Sequence, residues 1–268
     1  MSWKLPADYQ ELAPKPSIPQ ELEAVGLTPR LATLAGHVDA GSRIVDIGTD
    51  HGLIPIALMK NQRSCAAIAI DKKIGPLTIA QQNISKFKLD GKIALRLGDG
   101  FSALKSDEAD TAILAGMSGE HMAAILTKQD LKKLGITKLI VQPNTNLFAF
   151  RKHMAAAGWQ IVDESMVACG RRSYIIMVLA PGCAPFTLAF EDALLGPILR
   201  NSPDNLLYQL WLKLMLQRSA QKVRGYQGGT AHNGGALEEA QKQWRVFQQA
   251  YASLCLAQRI KQSPRLPE

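Results

Sequence analysis

Between Arg43 and Ala180 the chain repeats one alternation, a short apolar run followed by a stretch with helical apolar spacing. The runs RIVDIG (43–48), CAAIAID (65–71), KIALRLGD (92–99), DTAILAG (110–116) and KLIVQP (138–143) read as strands. LIPIALMK (53–60), PLTIAQQNISKFKL (76–89) and residues 119–127 and 147–157 read as helices between them. Strands alternating with helices imply a parallel, doubly wound sheet. The last two runs, WQIVDESMVA (159–168) and SYIIMVLA (173–180), are separated by only a short turn. They imply an antiparallel pair that inserts one antiparallel strand near an edge of the sheet. Ahead of the first strand, Thr28-Pro29 marks a helix start, with Thr28 as N-cap and proline at the first helical position.

The character changes on either side of this segment. Residues 1–27 hold several prolines and little periodicity, and are expected to form an irregular arm ahead of an α/β domain over 28–185. From 186 to 268 no strand signal remains. LLYQLWLKLMLQ and WRVFQQAYASLCLAQRI carry helical apolar spacing on either side of the glycine-rich GYQGGTAHNGG. That pattern predicts an antiparallel helical hairpin or coiled coil as a separate small domain, with SPRLPE as a frayed tail.

Charge and composition bound the partners. Lys+Arg 31 against Asp+Glu 23 gives a net charge of +8, and a basic protein commonly meets a polyanion, most often nucleic acid. Cys65, Cys169, Cys183 and Cys255 are scattered and form no C-x-x-C pair, which argues against a structural zinc, or any metal of that kind, and against a disulfide framework. The N-terminus lacks a charged start followed by an apolar core, and no apolar run approaches the roughly 20 residues a membrane span needs. A cytoplasmic location is expected.

The first strand runs into the loop IVDIGTDHG. A dinucleotide fingerprint would need glycine at 48, 50 and 53, where this chain has Gly48, Asp50 and Leu53. Asp50 would repel a pyrophosphate, so NAD and FAD are disfavoured. S-adenosylmethionine carries an ammonium and a sulfonium and no phosphate, so acids at this turn would attract it, while Gly48 permits close backbone approach. Asp71 ends the next strand, where an acid can accept both ribose hydroxyls. Asp99, with Gly100 beside it, follows the third strand and could accept the adenine amine. Asp46, Asp71 and Asp99 thus fall at the ends of successive strands, where doubly wound sheets bind ligands.

At these residues the chain resembles the class I S-adenosylmethionine-dependent methyltransferases, and more narrowly the bacterial tRNA (adenine(22)-N(1))-methyltransferases. The resemblance rests on TPRLATLAGHV, IVDIGTDHGLIPIAL, LRLGDG, ILAGMSGEHMAAIL, LIVQPNTNLFAFRKHMAAAGWQIVDE and SYIIMVL, in order across residues 28–180. It departs at Gly52-Leu53, where the family usually has Ala-Tyr, and at Ser118, where it usually has glycine. The resemblance implies a Rossmann-like, seven-stranded sheet with a C-terminal helical domain, and transfer of a methyl group to N1 of a tRNA adenine. It places Asp46, Gly48, Thr49 and Asp50 in the cofactor loop, Asp71 on the ribose, and Asp99 and Gly100 on the adenine. Gly116 and Met117 fall where methyl transfer occurs, and Gln142, Pro143 and Asn144 border the target base.

Neutral adenine already offers a lone pair at N1, so catalysis is expected from holding N1 near the methyl group, with no general base. Acceptors for the target amine would help, from the carbonyls around Gly116 or from Asn144. Met117 or Phe148 could pack on a flipped base, and His51 is expected to be structural. Arg30 could meet an RNA phosphate or the cofactor carboxylate. Lys72, Lys73, Arg151, Lys152, His153, Arg171, Arg172, Arg218, Lys222 and Arg224 are candidate phosphate contacts. The helical hairpin could clamp tRNA or make a dimer contact, and its basic loop favours tRNA. Two other readings fit the same residues: a methyltransferase for rRNA or a small molecule, and a non-catalytic RNA-binding protein that senses the cofactor.

Overall fold

Every apolar run of the alternating segment forms a strand in the computed structural model of the chain, which describes residues 3–4, 25–227 and 234–262. In order, the elements are β1 (Trp3–Lys4), α1 (Pro29–Gly36), β2 (Ser42–Ile47), α2 (Leu53–Lys60), β3 (Ser64–Asp71), α3 (Ile74–Lys86) and β4 (Ile93–Leu97). There follow β5 (Thr111–Met117), α4 (Gly119–Thr127), β6 (Lys138–Pro143), α5 (Leu147–Ala156), β7 (Trp159–Cys169) and β8 (Arg172–Pro181). Residues up to Leu188 form one unit and those from Ala189 a second.

The sheet order β4-β3-β2-β5-β6-β8 puts the parallel strands together and sets β8 antiparallel to β6, with Ile140 opposite Val178. β7 pairs along the whole of one side of β8. The other side is shared by β6, at residues 177–179, and by β1, whose Trp3 stands opposite Ser173. The expected seven-stranded, doubly wound sheet is therefore present, with a two-residue strand added from the arm. Ile44, Val45, Ala69, Ile70, Ile113, Leu114, Ile140 and Val141 are completely buried, as central strands covered by helices on both faces require.

The arm is not wholly irregular. Besides β1, Val25 and Leu27 are buried in the core of the first unit. The rest of the expected arm (1–2 and 5–24), the middle of the glycine-rich loop (228–233) and the SPRLPE tail lie outside the described residues.

Local signals fix the helix that carries Arg30. Thr28 caps α1, its hydroxyl accepting from the Leu31 N–H at 3.4 Å. At the other end His37 Nε2 lies 2.9 Å from Ser165 Oγ on β7, which ties α1 to the antiparallel pair.

In the second unit the helical hairpin is α7 (Leu206–Gln227) and α8 (Gly234–Gln262). Before it stand a short α6 (Phe190–Leu195) and a 3-10 turn (Leu199–Asn201), which the apolar pattern alone does not separate from α7. Gly196, at φ +94°, ends α6, and Pro197 follows it. The side chain of Asn205 accepts from the Tyr208 N–H at 3.2 Å and restarts the helix. Trp211 stacks on Tyr208 (5.5 Å between centroids) and meets Phe247 edge-on (5.9 Å), which joins the two arms of the hairpin.

Candidate functional site

The loops after the parallel strands converge on one cleft of about 530 Å³. Asp46, Gly48, Thr49 and Asp50 line it from the end of β2, and Asp71 from the end of β3. Asp99 and Gly100 come from the loop after β4, Gly116 and Met117 from the end of β5, and Arg30 from the first turn of α1. His51, Lys72 and Lys73 line it as well, so thirteen residues singled out from the sequence share one wall system.

Asp46 is the chemical centre. Its carboxylate is buried, accepts the Thr49 hydroxyl at 2.7 Å, and is pushed up to about 6 by burial, against the pull of that hydrogen bond and with added push from Asp71 and Asp50. Asp50 is exposed, holds a left-handed backbone at φ +53°, and lies 3.4 Å from His51 Nε2. Asp71 caps its own turn, accepting the Lys73 N–H at 2.9 Å. Asp99 is exposed and paired with Lys128 Nζ at 2.9 Å, a contact that holds its carboxyl below the usual range.

Two glycines are close approaches. A Cβ on Gly48, at φ +72°, would stand 2.5 Å from Met117 Cε, and one on Gly100, at φ +60°, would stand 2.9 Å from Ile125 Cγ2. Gly48→Ala is expected to displace Met117 into the cleft. It should cost about 1 kcal/mol or more of stability through the left-handed backbone alone and weaken cofactor binding by calorimetry.

Gln142 and Pro143 do not line the cleft. Both are buried at the end of β6. Gln142 accepts from Arg30 Nη1 at 2.9 Å and donates to Asn144 Oδ1 at 2.9 Å. Asn144 Nδ2 donates in turn to the Gly116 carbonyl at 2.7 Å, so Asn144 stands one hydrogen bond from the cleft. Arg30 also lies over the Tyr174 ring, 5.4 Å from its centroid. The loops after β5 and β6 are stitched by backbone bonds from Asn144 to Met117 (2.7 Å) and from Gly119 to Thr145 (3.0 Å). Ser118, where the family usually has glycine, caps α4 by accepting from the His121 N–H at 3.2 Å.

One expectation fails outright. Arg151, a candidate phosphate contact, is wholly buried and paired with Glu164 at 2.8 Å, so its guanidinium is closed to any ligand. Phe148 is half-buried under Lys152 (5.4 Å) and does not line the cleft, whereas Met117 does. Arg171, Arg172, Arg218, Lys222 and Arg224 are exposed, the last three on α7 of the second unit. His121 and Ile125, one turn apart on α4, line the cleft without having been singled out. The signal was their spacing on the helix that follows the fourth parallel strand.

Among the described residues no group of His, Cys, Asp and Glu could hold a metal ion, and no helix is long and apolar enough to cross a membrane.

A doubly wound sheet with an inserted antiparallel strand, and a cleft lined by four carboxylates at and just beyond the strand ends, fit the S-adenosylmethionine-dependent class of methyltransferases. Residues 27–177 match the family described as a methyltransferase domain. The tRNA (adenine(22)-N(1))-methyltransferase of Bacillus subtilis is 30% identical over 189 residues, 69% of this chain and 79% of its own length. The chain belongs to that family of methyltransferases. The crystal structure of the Bacillus subtilis tRNA methyltransferase TrmK superposes with a TM-score of 0.77 at 27% identity, covering 84% of this chain and 98% of that one. A Streptococcus pneumoniae protein in complex with S-adenosyl-L-methionine gives 0.74 at 25% identity, covering 84% and 99%.

Proposed function

We propose that this chain transfers the methyl group of S-adenosylmethionine to N1 of an adenine in tRNA, at position 22, and does so in the cytoplasm. The observation that carries this reading is the continuity of the matched family domain, residues 27–177, across every cleft-lining residue from Arg30 to Ile125 and on through Asn144 behind them.

The residues present fit the cofactor. A buried carboxylate raised to about 6 calls for a cationic partner, and Gly48, with no side chain, lets the Met117 methyl pack against the loop that lines the cleft. Asp46, Thr49 and Asp50 with Gly48 would hold the amino-acid end, Asp71 the ribose, and Asp99 with Gly100 the adenine. When bound, S-adenosylmethionine supplies an electrophilic methyl group on its sulfonium. The protein's own part is positional. Gly116, Met117 and Asn144 hold the target base beside the cleft, and the Asn144 oxygen and the Gly116 carbonyl offer acceptors to an amine. Adenine N1 needs no proton removed, so His51 has no acid–base step to perform.

Arg218, Lys222 and Arg224, with Lys72, Lys73, Arg171 and Arg172, are the exposed cations offered to RNA phosphates. Raising salt should therefore weaken tRNA binding steeply and leave cofactor binding nearly unchanged. The deciding experiment is transfer from labelled S-adenosylmethionine to tRNA lacking the modification, followed by nucleoside mass analysis. The expected product is 1-methyladenosine, mapped to position 22. No incorporation, with cofactor binding intact, would move the reading to another RNA, a small molecule or a non-catalytic binder.

A further inference from the structure

Three hydrogen bonds in series join α1 to the end of β5, and their direction is not free. Arginine has only donors, so the Gln142 atom that faces Arg30 Nη1 at 2.9 Å is its oxygen. That leaves the Gln142 Nε2 donor for the next contact, and the Asn144 atom 2.9 Å away must accept, so it is Oδ1. Asn144 Nδ2 is then turned to the Gly116 carbonyl at 2.7 Å, which can only accept. Reversing the Asn144 amide would set donor against donor at Gln142 and acceptor against acceptor at Gly116. The first two members are held in place: the guanidinium lies over the Tyr174 ring, and Gln142 is fully buried.

We propose that Arg30 is a positioning residue that acts through Gln142 to lock the Asn144 amide with its oxygen as an acceptor, and so sets the site's selectivity for a base with an amine beside the methylated nitrogen. The inference rests on the methyltransferase reading given above. An amide oxygen has two lone pairs, and Gln142 takes one. In this scheme the other, with the second lone pair of the Gly116 carbonyl, receives the donor of the target base. Adenine presents an amine donor next to the N1 lone pair. Guanine presents a carbonyl acceptor next to an N1–H, and would meet this pair acceptor to acceptor. An unmatched polar contact in a closed site is the strongest means of rejecting a near-isostere. Arg30 therefore need not touch the RNA to decide which base reacts.

The test uses the full chain, tRNA with adenosine at the target position, and the same tRNA with purine riboside there, which lacks the amine. Gln142→Glu keeps an acceptor for Arg30 but has no donor for Asn144, and Arg30→Met keeps the stem but removes the donor. Removing the amine is expected to lower wild-type kcat about tenfold, the range of a hydrogen bond to a neutral group. It should change kcat of either variant less than about twofold, and in Gln142→Glu, whose side chain lies outside the cleft, cofactor Kd should stay within about twofold of wild type. Arg30→Lys, again donor-only, should recover part of the amine dependence. Equal amine dependence in wild type and Gln142→Glu would overturn the inference.

A second readout needs no turnover. The side-chain amide protons of Asn144, identified in NMR spectra by their loss in Asn144→Asp, should exchange slowly in wild type and at least about tenfold faster in Arg30→Met. Unchanged exchange overturns the relay. Absence of 1-methyladenosine with slow exchange retained overturns the tRNA reading instead.

Discussion

Asp46→Asn is expected to reduce cofactor affinity by about 1.5–3 kcal/mol, ~10–150-fold, while leaving the fold as stable as wild type or more so at neutral pH. The two effects have one cause. Burial, with Asp71 and Asp50 nearby, raises the Asp46 carboxyl from 3.8 to about 6, even though Thr49 donates to it. The folded value lies above the unfolded one, so the native state holds the proton more tightly. The contribution of Asp46 to the stability of the free protein is therefore greatest below about 4. It falls as pH rises towards 6, and is level above that, by about 3 kcal/mol from this one group. A cationic ligand reverses the balance, because it favours the ionised form. Cofactor affinity should rise about tenfold per pH unit below 6 and level off above it. Calorimetric titration between pH 5 and 8, with thermal melts of the free protein over the same range, checks both slopes. An affinity that ignores pH in this window would remove Asp46 from the cofactor site. Asp46→Asn should lose the pH dependence along with the affinity.

What the sequence shows and what it hides divide along a physical line. Strand and helix periods are local, so the parallel strands, the antiparallel pair and the Thr28 cap are all legible in the order of residues. The acids Asp46, Asp71 and Asp99 are legible for a related reason: in a doubly wound sheet, the residue that ends a parallel strand is at the ligand face whatever the loops do. Partnerships between distant residues are not legible. Arg30 and Gln142 are 112 residues apart, and nothing in either segment says that one orients the other. Lys128 on Asp99 is a similar case, since a surface lysine and an acid 29 positions away carry no mark of pairing. The edge strand β1 is two residues long, too short for any period to show. Within the C-terminal unit, helical spacing runs on through residues 190–227 although Gly196, Pro197 and Pro203 interrupt the backbone.

Arg151 is the instructive failure, and it leads to the largest expected effect on stability. It follows the Gln142-Pro143-Asn144 turn inside the run Arg151-Lys152-His153, which reads as a basic patch. Helix α5 turns only one of the three inward: Lys152 and His153 are exposed, while Arg151 shares the buried face with Phe150 and Met154. Its Nε and Nη2 both meet Glu164 Oε1, at 2.9 and 2.8 Å, and both side chains are closed to solvent. Removing one member leaves a charge buried without its counter-ion. Arg151→Ala is therefore expected to destabilise the fold by about 3–5 kcal/mol, a loss large enough to lower the soluble yield. Replacing both, as Arg151→Met with Glu164→Leu, removes both buried charges and fills much of the same volume. It should recover most of that loss and could exceed wild type. Denaturant unfolding of the two variants beside wild type separates the cases. If the double variant keeps wild-type tRNA affinity, Arg151 joins β7 to α5 and has no part in RNA recognition. If it folds well and loses tRNA affinity, the buried pair is shaping the loop that begins at Asn144, and the route from the helix to the target base runs through it.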